Sequence, residues 1–131
     1  MKLIIAGTRG LTDYSVVLSA IGKFLSEQNT WRLREVVSGC AKGVDRFGER
    51  WAKNSHIPVK RFQANWLQDG RAAGPLRNKR MAIYGDVLLA IWDGQSAGTR
   101  DMIQAMKRLD KPVFIYNYGE ENDRAKSNDP N

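Results

Sequence analysis

Cysteine and histidine are almost absent: Cys40 and His56 are the only examples in 131 residues. One of each cannot build a disulfide framework, a Cys/His zinc cluster or a paired-histidine metal site within a single chain. No metal site and no cofactor are expected, and the reducing cytoplasm is the expected compartment. Long apolar runs are missing too. The stretch Met1-Lys2-Leu3-Ile4-Ile5-Ala6-Gly7 is far too short for a signal-peptide core or a membrane span, so no membrane partner is expected and it reads as a first strand. With 42% hydrophobic residues the chain has apolar material for one compact domain but no room for a separate substrate domain, which excludes multidomain enzymes.

Negative charge is scarce over most of the chain. There are 21 Lys and Arg against 14 Asp and Glu, a net +7. Four of the acids, Glu120, Glu121, Asp123 and Asp129, lie in residues 119–131 beside only Arg124 and Lys126, so residues 1–118 hold 19 basic against 10 acidic side chains, a net +9. Such a balance favours polyanions or phosphorylated ligands, and charge alone does not separate a nucleotide from a nucleic acid. Residues 119–131 are polar, rich in Asn and Asp and interrupted by Pro130, and are expected to be a mobile tail after a domain spanning 1–118.

Short apolar runs at 3–6, 35–38, 57–62, 86–92 and 112–116 read as five strands. Val87-Leu88-Leu89-Ala90-Ile91 and Val113-Phe114-Ile115 are apolar at consecutive positions, as in strands covered on both faces of a parallel sheet. Stripes of helical period lie between them: Val17, Ala20, Ile21, Phe24 and Leu25; then Val44, Phe47 and Trp51; then Met102, Ala105, Met106 and Leu109. Alternation with short connections predicts a three-layer α/β sandwich around a five-stranded parallel sheet.

Ligands of such sheets bind beyond the carboxyl ends of the strands, so the loops there carry the candidates. The first is Gly7-Thr8-Arg9-Gly10, with Thr12 or Asp13 as helix cap. Its glycines allow a tight turn and close backbone approach, while Thr8 and Arg9 offer a hydroxyl and a cation; the alternative is a plain turn with Arg9 solvated. The second is Ser38-Gly39-Cys40-Ala41-Lys42-Gly43-Val44-Asp45, where amides at a helix start attract an anion and Lys42 adds to the attraction. Asp45 either complements the helix dipole, at about 0.3 to 1 kcal/mol, or accepts from a ribose hydroxyl or orients Lys42. Cys40 reads as a small buried filler.

The loop after the fourth strand, Asp93-Gly94-Gln95-Ser96-Ala97-Gly98-Thr99, combines glycines, hydroxyls and helix-start amides into a phosphate cradle. It is neither a Walker loop nor the dinucleotide fingerprint. The segment from Asn65 to Met81 joins strand three to a helix beginning near Pro75 and concentrates Arg71, Arg77, Lys79 and Arg80. Arg77 and Asn78 in the first turn of that helix reach toward a phosphate and a base or ribose edge, whereas Lys79 and Arg80 fit a solvated face. Trp66 is either a core plug or, with Arg71, part of a stacking lid.

The order of these motifs resembles the SLOG superfamily of Rossmann-like proteins, in particular its YspA-type (cpYpsA-related) branch, over about residues 1–116. The residues that carry the resemblance are Gly7-Thr8-Arg9, Ser38 to Asp45, Trp66 with Gly70 to Asn78 and Met81, and Ser96-Ala97-Gly98-Thr99. The resemblance implies a sheet ordered 3-2-1-4-5 and a nucleotide-derived ligand where the first, second and fourth loops converge. It also implies a homo-oligomer, expected as a dimer, and members that act as ligand sensors or nucleotide-processing enzymes.

Two relatives within the superfamily define the alternatives. LOG phosphoribohydrolases cleave the N-glycosidic bond of nucleoside monophosphates with a Gly-Gly-x-Gly-Thr-x-x-Glu loop. Here Met102 stands at the glutamate, and Asp101 points about 100 degrees away around the helix. A thioether cannot replace a carboxylate in that chemistry, so a hydrolase would depend on Asp45, Asp93 or Asp101, with Asp45 and Asp101 as the catalytic candidates. Smf/DprA proteins share a Ser-Gly-x-Ala-x-Gly-x-Asp loop and an Arg-Asn pair, and they bind single-stranded DNA. Ser38 to Asp45 and Arg77-Asn78 match, and Trp31 and Trp66 are the loop tryptophans available for stacking. The leading expectation is a protein that binds a phosphorylated nucleotide or nucleotide-derived small molecule through Gly7, Thr8, Arg9, Ser38, Gly39, Lys42, Gly43, Arg77, Asn78, Gly94, Ser96, Gly98 and Thr99. Nucleic acid is the second choice of partner.

Overall fold

The computed structural model describes residues 1–28 and 32–119. Trp31 and residues 120–131 of the expected tail lie outside the described residues. The elements alternate along the chain: β1 (Lys2–Gly7), α1 (Tyr14–Glu27), β2 (Glu35–Ser38), α2 (Val44–Asn54), β3 (Val59–Arg61), a short α3 (Trp66–Asp69) running through a 3-10 turn into α4 (Ala73–Tyr84), β4 (Val87–Trp92), α5 (Ala97–Arg108) and β5 (Val113–Asn117). All strands are parallel, in the order 3-2-1-4-5. This is a Rossmann-like α/β layout, with the order reversing between β1 and β4. No helix among the described residues is long and apolar enough to cross a membrane.

Strand periodicity sends alternate side chains of the central strands to opposite layers. Leu3 and Ile5 of β1 and Leu89 and Ile91 of β4 pack with Val17, Ile21, Phe24, Val44 and Ala52 from α1 and α2. Ile4, Ala6, Leu88 and Ala90 pack with Met81 and Ala82 of α4 and Met102 and Met106 of α5. Burial on both faces explains the unbroken apolar runs of β1 and β4.

Several boundaries differ from expectation for local reasons. Strand three pairs only over Val59–Arg61, at the edge of the sheet. Trp66 opens a helical turn rather than a loop, because the Asn65 side chain accepts from the Gln68 amide and caps it; α4 follows from Ala73, two residues before Pro75. Of the two expected caps for α1, Asp13 is the one used, accepting from the Ser15 amide at 2.9 Å. The buried face of α2 is Val44, Asp45, Gly48, Glu49 and Ala52, while Phe47 and Trp51 are half-buried at its flank. A Cβ on Gly48 would stand 2.9 Å from Cγ2 of Ile5, so the missing side chain lets this face approach the sheet. Leu109 lies just past α5 and is exposed.

α4 carries Arg77 and Asn78 and is anchored at its far end by Lys111. The ammonium donates to the carbonyls of Ala82, Ile83 and Gly85 at 2.8, 2.9 and 2.8 Å, satisfying acceptors that a helix terminus leaves open. Lys111→Met is expected to lower the unfolding free energy by about 1 to 3 kcal/mol. Urea denaturation checks this, and an unchanged midpoint would show the anchor to be idle.

Candidate functional site

The carboxyl ends of β1 and β4 are held close by backbone contact. Gly7 pairs with Ile91, and a Cβ on Gly7 would lie 2.0 Å from the Ile91 carbonyl oxygen, so no larger residue fits. The Thr8 amide donates to the same carbonyl at 3.1 Å. The Thr8 hydroxyl, itself buried, accepts from the Asp93 amide at 3.1 Å and lies 3.2 Å from the Ser96 hydroxyl, which joins the first loop to the fourth. The second loop closes on the first through the Val44 amide, which donates to the Thr8 carbonyl. Gly43 makes that approach possible: its φ is +74° and a Cβ would stand 2.5 Å from the carbonyl oxygens of Thr8 and Arg9.

A cavity of about 300 Å³ opens at this junction. Gly7, Thr8 and Arg9 line it from the first loop, Ser96, Gly98 and Thr99 from the fourth loop and the start of α5, and Arg77 and Asn78 from α4. Asp45 reaches its wall from α2, and Met81 and Met102 supply an apolar patch. The Asp93 carboxylate shapes the fourth loop by accepting from the amides of Gln95 and Ser96, both at 2.8 Å. Burial alone would raise its pKa, but those amides hold the carboxyl below the ordinary value.

Arg77 and Asp45 are nearly inaccessible, at 8% and 4% exposure, and Gly39 sits between their demands. A Cβ on Gly39 would be 2.9 Å from both Arg77 Nη1 and Asp45 Oδ2. Arg77 donates to the Gly39 carbonyl and, through Nε, to Asn78 Oδ1 at 3.0 Å. That uses two of its five N–H groups. Asn78 is fully engaged: its amide nitrogen donates to the Gly98 carbonyl at 3.3 Å and to Asp101 Oδ2 at 2.9 Å. It positions Arg77 and the start of α5. Burial lowers the Arg77 pKa, and the Asp45 carboxylate opposes the shift. Burial also pushes the Asp45 carboxyl from 3.8 up to about 6, despite the Ala41 amide, the Arg77 guanidinium and the Gly7 amide, all of which favour its charged form.

Other candidates stand apart from this cavity. Asp101 is held by Asn78 and is off the cavity wall, Lys42 is exposed away from it, and Gly94 forms a left-handed turn against Asn117. The Ser38 hydroxyl turns inward, donating to Glu49 Oε2 at 2.6 Å and accepting from the Cys40 amide at 3.1 Å. Glu49 also pairs with Arg61 at 2.7 Å. Sequence reasoning passed over this buried glutamate, because a glutamate in an amphipathic helix reads as solvated. Burial and the Glu49 carboxylate push the Cys40 thiol up, away from the thiolate form a nucleophile needs. Trp66 and Arg9 face a second cavity, with the guanidinium 5.7 Å from the ring centroid, and Arg71 is exposed and lines neither space.

Comparison with known proteins places this geometry in context. The model of the family described as "YAcAr: YspA, cpYpsA-related SLOG family" matches residues 1–68. The chain is 31% identical over 125 residues to the "Gene 61 protein" of Mycobacterium phage D29, covering 91% of this chain and 97% of that protein. No solved structure gives a significant match.

The raised Asp45 pKa has a measurable consequence. Between about pH 4 and about pH 6 the folded state holds a proton that the unfolded state has lost, so stability falls as pH rises through this window. The fall is expected to reach at most about 3 kcal/mol, and Asp45→Asn is expected to flatten it. Urea unfolding at a series of pH values measures both slopes; equal slopes would refute the assignment.

Proposed function

Because the chain belongs to the YspA, cpYpsA-related SLOG family, we propose that it binds a phosphorylated nucleotide or nucleotide-derived small molecule at the carboxyl edge of its sheet. The observation that carries this reading is the convergence of Arg9, Arg77, Thr99 and the amides at the start of α5 on one cavity at the β1–β4 switch point. Cations, a hydroxyl and helix-start N–H groups are the donors an anionic phosphate needs. Gly98 adds to the case. A Cβ there would meet nothing within 4 Å, so the protein's own packing does not require glycine, whereas a ligand approaching the backbone would.

One observation favours a second reading, hydrolysis of a nucleotide N-glycosidic bond. Asp45 reaches the cavity wall with a pKa of about 6, which suits a carboxyl that exchanges a proton near neutral pH. Single-stranded DNA binding has weaker support: Trp66 lines the adjoining cavity, and Trp31 lies outside the described residues.

Native mass spectrometry of the purified chain, before and after denaturation, tests the binding reading and reports the oligomeric state. A retained or added nucleoside monophosphate is the expected result, and its turnover to free base would establish the hydrolase. Gly98→Ala is expected to keep or slightly raise the melting temperature, since alanine favours a helix over glycine, while weakening nucleoside monophosphate binding about tenfold or more. No binding by the parent chain of any nucleoside monophosphate or of ribose 5-phosphate would overturn the reading.

A further inference from the structure

A second cavity of about 210 Å³ adjoins the first, and Arg9, Ala41 and Arg77 line both. The two spaces therefore share a wall. Their chemistry differs. The first sets hydroxyls and helix-start amides beside Arg9 and Arg77, whereas the second shares those two arginines, adds Arg46, and is otherwise walled by Trp66, Gln63 and the turn at Gly39 and Cys40.

We propose that this second cavity is a nucleobase subsite, with Trp66 as its stacking platform and Gln63 at the base edge. The proposal rests on the phosphate-binding reading above and adds the part of the ligand that the first cavity does not recognise. The Trp66 side chain is 51% exposed, and the elements around it leave it so. Asn65 caps α3 and sets the first helical residue, Trp66, in place. Gly74 lies beside the ring, where a Cβ would make an ordinary contact with Cη2 at 3.4 Å. At 5.7 Å the Arg9 guanidinium makes only a loose contact with the ring, one that a flat heterocycle replaces while Arg9 turns to the phosphate. Gln63 carries both a donor and an acceptor on an exposed side chain, which matches the mixed edge of a base.

Isothermal titration of the full chain with adenosine 5′-monophosphate, guanosine 5′-monophosphate and ribose 5-phosphate tests the subsite. Trp66→Ala is expected to weaken both nucleotides about tenfold or more and to leave ribose 5-phosphate unchanged. Trp66→Phe keeps an aromatic face and guards against misfolding; it is expected to lose less than the alanine variant. Nucleotides that bind the parent chain no tighter than ribose 5-phosphate would overturn the base subsite while leaving the phosphate reading intact. So would a Trp66→Ala variant that keeps full nucleotide affinity, or one that loses all three ligands equally. Silence from all three on the parent chain would overturn both readings together.

Discussion

The carboxyl edge of this sheet depends on one close backbone contact, between Gly7-Thr8 of β1 and Ile91 of β4. The strand order of this parallel sheet reverses there, and the crevice between the diverging connections is where a Rossmann-like protein has open space. In this chain the crevice is narrowed from below by the absent Gly7 side chain and shaped above by Thr8, whose carbonyl accepts from Val44 and whose hydroxyl accepts from Asp93. Three loops separated widely in sequence thus share one residue. A larger residue at Gly7 would meet the Ile91 carbonyl and part the strands, and every distance around the cavity would change with them.

The second constraint is electrostatic. Arg77 and Asp45 are both buried, and isolated buried charges are expensive unless hydrogen-bonded and paired. Their bonds are distributed over several elements: Arg77 to Gly39 and Asn78, and Asp45 to the Ala41 amide. Asn78 extends the chain to Gly98 and Asp101 on α5. α4, α5 and the second loop are thereby tied into one polar network at the mouth of the cavity. A network of this kind fixes the direction of the remaining Arg77 donors more firmly than packing alone.

Much of this was legible in the sequence, and the failures have identifiable physical causes. The alternation of strands and helices was readable because β1 and β4 are buried on both faces and so leave unbroken apolar runs. Small-residue loops before helices pointed to the carboxyl edge of the sheet, and Thr8, Arg9, Arg77, Gly98 and Thr99 line one cavity there. Glycine roles were only half readable. Gly7 leads into the tight turn that the first loop suggested, but the effects of Gly43 and Gly48 depend on Thr8, Arg9 and Ile5, contacts that no local pattern reveals. Ser38 looked like a ligand contact because it opens a polar loop, yet Glu49 claims its hydroxyl from within α2. Lys42 brings a positive charge to the second loop, but it is exposed and lines neither cavity. Polar partners brought together by tertiary structure leave no periodic trace in the chain.

The composition of the cavity wall bears on what the site does. At the position where the LOG proteins carry a glutamate, Met102 is buried and contributes an apolar contact. The neighbouring Asp101 is occupied by Asn78, which leaves Asp45 as the carboxylate on the wall among the described residues. Asp45 does not stand alone: the Ala41 amide donates to it, and the Arg77 guanidinium stabilises its charged form. A carboxylate held this way neutralises and orients a buried cation more readily than it activates water, since losing its charge would leave Arg77 without its counterion. The buried charges of the wall thus hold one another in place. That pairing fits the proposed binding of an anion better than the proposed hydrolysis, because it keeps Arg77 charged and Asp45 engaged.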